Sequence, residues 1–185
     1  MSVRLIGANP GLTLFDAAGE RTAFASVWRV DWSERGPGQA VVVWQAGGVR
    51  ILTPRPELGS WLADEFTRHF PEVAGLPWGT PEVTHAAVSL DYDLARGVRA
   101  QAADVVVEID EPLDRRLIRV PEFDLGGTPN LLSTVYVPCA SGRLTVGGVA
   151  VAGSPQVTRE PTASSSAFLA DAEVWCRATR PVLTS

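Results

Sequence analysis

The side chains with the clearest potential for chemistry lie in the stretch HAAVSLDYDL, residues 85–94. Read as a β-strand, it places His85, Asp91 and Asp93 on one face, since side chains alternate between the two faces of a strand. Residues two apart lie about 6.6–7 Å apart, so the aspartates can form a carboxylate pair suited to acid–base chemistry or to a hard cation. His85 lies roughly 20 Å from Asp91 along such a strand, too far for a dyad.

The same alternation is typical of the solvent-facing side of an antiparallel sheet, and we favour that interpretation. An enzymatic site would require Asp91 and Asp93 to converge in a concave pocket with His85, Arg99 or Arg119. The sequence has no G-x-S-x-G motif for an activated serine. Whether the chain is an enzyme stays open, and the absence of nucleophile motifs leans against it.

Composition excludes several kinds of function. All 16 basic residues are arginine, so a lysine Schiff base and a Walker-type phosphate loop are both excluded in this lysine-free chain. The net charge of -5 and the lack of a basic stripe predict no nucleic-acid partner. Its two histidines show no ligand spacing, so no metal and no cofactor is predicted. No apolar run reaches the ~18 residues of a membrane span, so no membrane partner is predicted.

The two cysteines, Cys139 and Cys176, form neither a zinc motif nor a disulfide scaffold. The N-terminus carries no long apolar targeting segment. We therefore expect a cytoplasmic protein with reduced, buried thiols. A disulfide between the two cysteines stays open at this stage, although such bonds are rare in reducing compartments.

Hydrophobic periodicity predicts a mainly β or α+β fold with one amphipathic helix at about 54–70, begun by Thr53 as a cap and Pro54. Short strands separated by tight turns predict an antiparallel curved sheet, in a barrel or sandwich. The predicted strands are 22–32, 40–45, 49–52, 83–94, 98–109, 116–120, 131–137, 143–146, 149–151 and 167–177.

The length of the chain fits a single domain spanning 1–185. The Gly/Pro-rich segment 74–81 leaves open a subdivision into 1–73, with strands and the helix, and an all-β part at 82–185.

Aromatic side chains provide the strongest functional signal. Trp28 and Trp32 share a face of the first predicted strand, while Trp61 and Phe66 lie on the predicted helix. The helix is expected to pack against that strand face. Such an interface is either a solid core or the lining of a cavity with a few polar groups. Our leading hypothesis is binding of a small apolar molecule, with these four side chains as ligand contacts.

The first alternative is a protein–protein interaction module. If the apolar strand predicted at 131–137 lies at a sheet edge, it can pair with a second copy and give a homodimer. The second alternative is the acid–base or metal-assisted enzyme built on Asp91 and Asp93.

Overall fold

The structure is a computed structural model that describes residues 1–177. Five strands precede the helix: β1 (Ser2–Ala8), β2 (Gly11–Phe15), β3 (Arg21–Ser33), β4 (Gly38–Gln45) and β5 (Gly48–Thr53). Helix α1 covers Pro56–Glu65 and is followed by 3-10 turns at Thr67–His69 and Pro71–Val73. The remaining strands are β6 (Glu82–His85), β7 (Val88–Asp93), β8 (Gly97–Ala102), β9 (Val105–Pro112), β10 (Arg116–Leu125), β11 (Thr128–Val146), β12 (Val149–Ala150), β13 (Val157–Thr158), β14 (Ser164–Ser165) and β15 (Ala167–Cys176).

Thirteen strands form one sheet whose main path runs β6-β5-β4-β3-β1-β15-β11-β9-β8-β7. Strand β2 pairs with β3 and β15, while β10 and β12 pair with β11. All of these ladders are antiparallel except β5–β6. The prediction of a β-rich fold with an antiparallel curved sheet and one helix is confirmed. No ladder within residues 1–177 joins β6 to β7, so the sheet is curved and not a closed barrel.

The two end strands of this path, β6 and β7, are consecutive in sequence and joined only by Ala86 and Ala87. The sheet must therefore curl until its two ends meet. The backbone N–H of Ala86 donates to the carbonyl of Thr53 on β5 (2.9 Å). An ion pair of 2.7 Å between Arg50 and Asp104 ties β5 to the turn between β8 and β9.

The curled sheet and the helix make three layers. Inside the curl, one face of β3 and β4, represented by Val27 and Val43, packs against β8 and β9. The opposite face, represented by Phe24 and Val42, packs against α1. Both faces of these strands are buried, which explains the unbroken apolar run AVVVW in β4. Both hydrophobic clusters contain residues from before and after the segment 74–81.

Helix α1 is shorter than the predicted helix at both ends. Thr53 closes β5 instead of capping the helix: its hydroxyl donates to the carbonyl of Gln39 (2.8 Å) and accepts the N–H of Arg55 (3.0 Å). The α-helical backbone begins at Pro56 and stops at Glu65. Within residues 1–177, no helix is long and apolar enough to cross a membrane.

The early end of α1 has a local cause at Thr67. Its hydroxyl bonds to the carbonyl of Leu62 (3.3 Å) and accepts the indole N–H of Trp28 (3.1 Å). Such side-chain bonding competes with the regular helical pattern. The chain continues as 3-10 turns, which bring Phe66 and Phe70 to centroid distances of 5.7 and 6.0 Å from Trp28.

Several predicted strand boundaries also differ. The predicted strand 83–94 is two strands at opposite ends of the sheet path, and 98–109 is divided into β8 and β9 by a turn at Ala103, whose φ is 48°. The two predicted strands 131–137 and 143–146 are parts of the 19-residue strand β11. Strands β1 and β2 were not predicted, because their residues are mostly buried and do not alternate cleanly.

The three-layer arrangement predicts the effect of a hydroxyl group on either face of β4. We expect Val41→Thr and Val42→Thr each to lower the free energy of unfolding by about 1–3 kcal/mol, because both side chains are fully buried and a buried hydroxyl without a partner costs that much. Val106→Thr, on the half-buried outer face of β9, serves as the control with little change. Urea denaturation measures all three, and a neutral effect at Val41 or Val42 would contradict the double-sided burial.

Candidate functional site

An apolar cleft of about 390 Å³ lies on the helix side of the sheet, beside the end of α1. Its floor is made by alternate residues of β15, namely Ala170, Ala172 and Val174. Thr134 of β11, which pairs with Ala172, continues the floor. Helix α1 packs mainly on β4 and β5, so β15 and β11 lie beyond its cover. Small alanine side chains beyond the end of the helix leave the space that forms the cleft.

Aromatic rings form most of the cleft walls. Trp28, Phe66 and Phe70 stand at the helix side, while Tyr136 and Phe168 stand at the other, with a centroid separation of 5.5 Å. The ring of Phe168 lies directly against Gly11 of β2. A Cβ atom at Gly11 would come within 2.5 Å of that ring, so the wall requires glycine there.

One side of the cleft is bridged by a contact between the β10–β11 hairpin and the first 3-10 turn. His69 packs against Gly126 at the tip of the hairpin, where a Cβ atom would lie 2.6 Å from the imidazole Cε1. Gly126 has a φ of +63°, which favours glycine independently. The contact joins the elements that carry Phe70 and Phe123, both of which line the cleft.

Most polar groups in the cleft already have partners. The hydroxyl of Thr134 donates to the carbonyl of Asp171 (2.9 Å). The Tyr136 hydroxyl donates to the carbonyl of Ser165 (3.0 Å) and accepts its backbone N–H (3.2 Å). The side-chain amide of Asn9 donates to Ser26 Oγ and to the carbonyl of Val27, both at 2.8 Å. The side-chain carbonyl of Asn9 accepts no hydrogen bond within the described residues.

Glu72 is the one acidic or basic side chain among the residues that line the cleft. It is half-buried, and burial raises the pKa of its carboxyl. The guanidinium of Arg21 holds this segment through the main-chain carbonyls of Glu72 and Ala74, both at 2.8 Å. The arginine therefore positions the backbone, while the Glu72 carboxyl has its own backbone N–H as a hydrogen-bond partner, which opposes the rise in its pKa, and forms no ion pair within the described residues.

Two of the four predicted ligand contacts line this cleft, namely Trp28 and Phe66. Trp61 packs edge-on against Phe66, at 5.0 Å between centroids, and supports the wall from outside the cleft. Trp32 lies near the end of β3 opposite Ile6, beside a bulge, and is 48% exposed. Strand alternation could show neither the bulge beside Trp32 nor how far the covering helix extends.

The aspartate face lies elsewhere. Asp91 and Asp93 border a shallow depression with Arg96, Arg99 and Glu108 on the outer side of β7–β9. His85 is exposed on β6, at the other end of the sheet path. The structure thus brings the two aspartates and Arg99 to one surface and leaves His85 outside that depression. Arg119 is exposed on β10 and does not border it.

Some of the charges in the depression form ion pairs, whereas Asp91 and Asp110 form none within the described residues. Glu108 pairs with Arg99 at 3.6 Å and with Arg143 at 2.9 Å, and Asp93 pairs with Arg96 at 3.4 Å. In addition, Asp93 accepts the backbone N–H of Ala95 at 2.7 Å. No cluster of three or more potential metal ligands occurs in the part of the chain that the structure describes.

Both cysteines are free thiols: Cys139 is buried and Cys176 is half-buried. Burial raises the pKa of Cys139 to about 12. A thiol of this kind is protonated at neutral pH and is not activated for nucleophilic chemistry.

Sequence reasoning did not find Glu72, Asn9, Tyr136 or Phe168 as cleft residues. A signal for the floor is present in AFLADAEV, where Phe168, Ala170, Ala172 and Val174 alternate. That pattern indicates one apolar face but not whether another element covers it. Glu72 has no comparable signal, since an acidic residue after a proline is common on protein surfaces.

No protein-family model, curated protein or solved structure matches this chain. The functional inference below therefore rests on the cleft and its residues.

The raised pKa of Glu72 predicts how stability depends on pH. The native state holds this proton more tightly than the unfolded chain, so the free energy of unfolding contributed by Glu72 falls as pH rises from the unfolded pKa to the folded one. We expect Glu72→Gln to be more stable than the wild type at pH 7–8, with the difference vanishing near pH ~4. Urea denaturation between these pH values measures it.

Glu34→Gln is the matched control for this prediction, since Glu34 is an exposed turn residue and its replacement removes the same formal charge. We expect its effect on stability to be small. A Glu72→Gln variant less stable than the wild type at pH 8 would show that the carboxylate is stabilised in the native state.

Proposed function

We propose that this protein binds a small apolar molecule in the cleft between the helical segment and the β15–β11 face. The observation that carries the proposal is an open cavity of about 390 Å³ with aromatic walls and an alanine floor. Ligand sites in proteins are typically concave and mostly apolar, with volumes of about 300–1,000 Å³ and a few polar groups that orient the ligand.

The contrast with the interior of the same protein supports the proposal. Inside the curl, residues such as Val107, Ile109 and Leu144 are fully buried in a continuous hydrophobic cluster. Protein interiors are close-packed, whereas the alanines of the cleft floor have no larger side chain above them to fill the space. A concave apolar surface left open in this way is characteristic of a binding site.

Self-association through a strand edge is the second candidate, but the edge is not formed by the strand that the sequence predicted. The strand predicted at 131–137 is not at an edge, because β11 pairs there with β10 on one side and β15 on the other. The open edge belongs to β10, where Leu117 is 64% exposed. That edge also carries Arg119, Pro121 and a bulge between Val120 and Phe123, features that disfavour edge-to-edge pairing.

We keep an acid–base or metal-assisted enzyme as the third candidate, since Asp91 and Asp93 share an open, charge-paired depression and His85 lies apart from it. We propose the cytoplasm as the location of the protein. Its two free cysteines support a reducing compartment.

A fluorescent apolar probe tests the ligand site directly. N-phenyl-1-naphthylamine is neutral at pH 7 and is expected to bind the wild-type protein with enhanced emission. Ala172→Phe places a ring on the cleft floor and is expected to weaken binding by tenfold or more, because the ring occupies the space that the probe needs.

The control is Glu173→Phe, which adds the same ring on the neighbouring residue of β15. Glu173 is exposed and does not line the cleft, so probe affinity is expected to stay within about twofold of the wild type. Absence of probe binding to the wild type, or equal binding by both variants, would refute the proposed site.

A further inference from the structure

We propose that the ligand of this cleft is an organic amine, with an apolar ring or chain in the cleft and its ammonium group on the Glu72 carboxylate. The inference rests on the proposed function and specifies the chemical class of the ligand. Its basis is that Glu72 lines a cleft with aromatic walls and forms no ion pair within the described residues.

The two arginines whose guanidinium groups lie over cleft rings, Arg4 and Arg116, already have carboxylate partners. Arg4 pairs with Glu65 at 2.6 Å, and Arg116 pairs with Asp114 at 2.7 Å. The guanidinium of Arg21 donates to the main-chain carbonyls of Glu72 and Ala74.

The remaining ionisable groups near the cleft also leave Glu72 unpaired. Asp171 on β15 is bonded to Tyr92 (3.0 Å) and lies 3.9 Å from Arg29, and the neighbouring Glu173 is not a lining residue. His69 packs on Gly126 and does not line the cleft either. Arg68 on the neighbouring 3-10 turn is exposed and does not line the cleft. Within the described residues, Glu72 therefore forms no ion pair.

The aromatic walls suit a cation as well as an apolar group. The faces of tryptophan, tyrosine and phenylalanine attract cations within about 6 Å of the ring centroid. Two lining rings already do so in this protein: the guanidinium of Arg4 lies 4.9 Å from the ring of Phe66, and that of Arg116 lies 5.3 Å from the ring of Tyr136. An ammonium near Glu72 can therefore use both a carboxylate and aromatic faces.

Other ligand charges fit the site less well. An anion in the cleft would be repelled by Glu72, and the two guanidinium groups that contact lining rings are already paired with Glu65 and Asp114. A neutral ligand would exclude water from the carboxylate and supply no counter-charge, and desolvating an unpaired charge is costly. An amine replaces the lost water with a charge-assisted hydrogen bond, which is roughly twice as strong as one between neutral groups.

A matched pair of probes tests the inference: 2-naphthylmethylamine, which is protonated at pH 8, and 2-naphthylmethanol, its neutral counterpart of similar shape. Isothermal titration at pH 8 is expected to show the amine binding the wild type about tenfold more tightly than the alcohol, which corresponds to about 1.4 kcal/mol, because only the amine forms a charge-assisted hydrogen bond. In Glu72→Gln this preference is expected to disappear, while the affinity for the alcohol persists and shows that the cleft is intact.

Two further measurements sharpen the result. Glu34→Gln removes one negative charge away from the cleft and is expected to keep the full preference for the amine. In the wild type, the preference is expected to decline as pH falls and the Glu72 carboxyl becomes protonated, although the amine itself remains charged.

The possible failures are distinguishable. Equal binding of the two probes by the wild type, or a preference for the amine that survives in Glu72→Gln, would overturn the amine inference and leave the apolar site standing. Failure of both probes to bind the wild type, together with N-phenyl-1-naphthylamine, would overturn the proposed function and the inference with it.

Discussion

Burial of β3 and β4 on both faces is the constraint on which the rest of this structure depends. A strand that is apolar on both sides needs a hydrophobic layer above it and another below it. The curled half of the sheet supplies one layer, and the helix supplies the other. Only two residues separate β6 from β7, which are the two ends of the sheet path. This short connection restricts how β8 and β9 can be brought over β3 and β4.

The cleft forms because the sheet extends further than the helix that covers it. The sheet continues from β3 through β1 to β15 and β11, whereas α1 has ten residues and stops at Glu65. Beyond its end, Phe66 and Phe70, which flank the first 3-10 turn, form only the wall on the helix side of the cleft. Ala170 and Ala172 keep the floor low at this point. Larger residues at these two positions would fill the space and turn the cleft into ordinary core.

The sequence predicts the type of fold well, because strand alternation and the amphipathic helix are local signals. It also predicts that Trp28 and Phe66 meet, since each lies on the apolar face of its element. Local sequence patterns do not predict contacts between segments that are far apart in the chain. The hairpin tip at Gly126 against His69 joins residues far apart in the chain, and no periodicity predicts that contact. Trp32 shows the same limit, because a bulge in the β1–β3 ladder interrupts the alternation beside it, and it is exposed outside the cleft.

Glu72 departs from the way this protein handles charge elsewhere. Arginine is the only basic side chain available, and its planar guanidinium pairs readily with carboxylates, as at Arg4, Arg50 and Arg143. Arg21 reaches the segment of Glu72 but binds its main chain and not its carboxylate. Burial raises the pKa of this half-buried carboxyl, so we expect its ionised form to lower the free energy of unfolding as pH rises. A cation that enters the cleft would recover this free energy on binding, so the residue that weakens the empty protein would strengthen the complex.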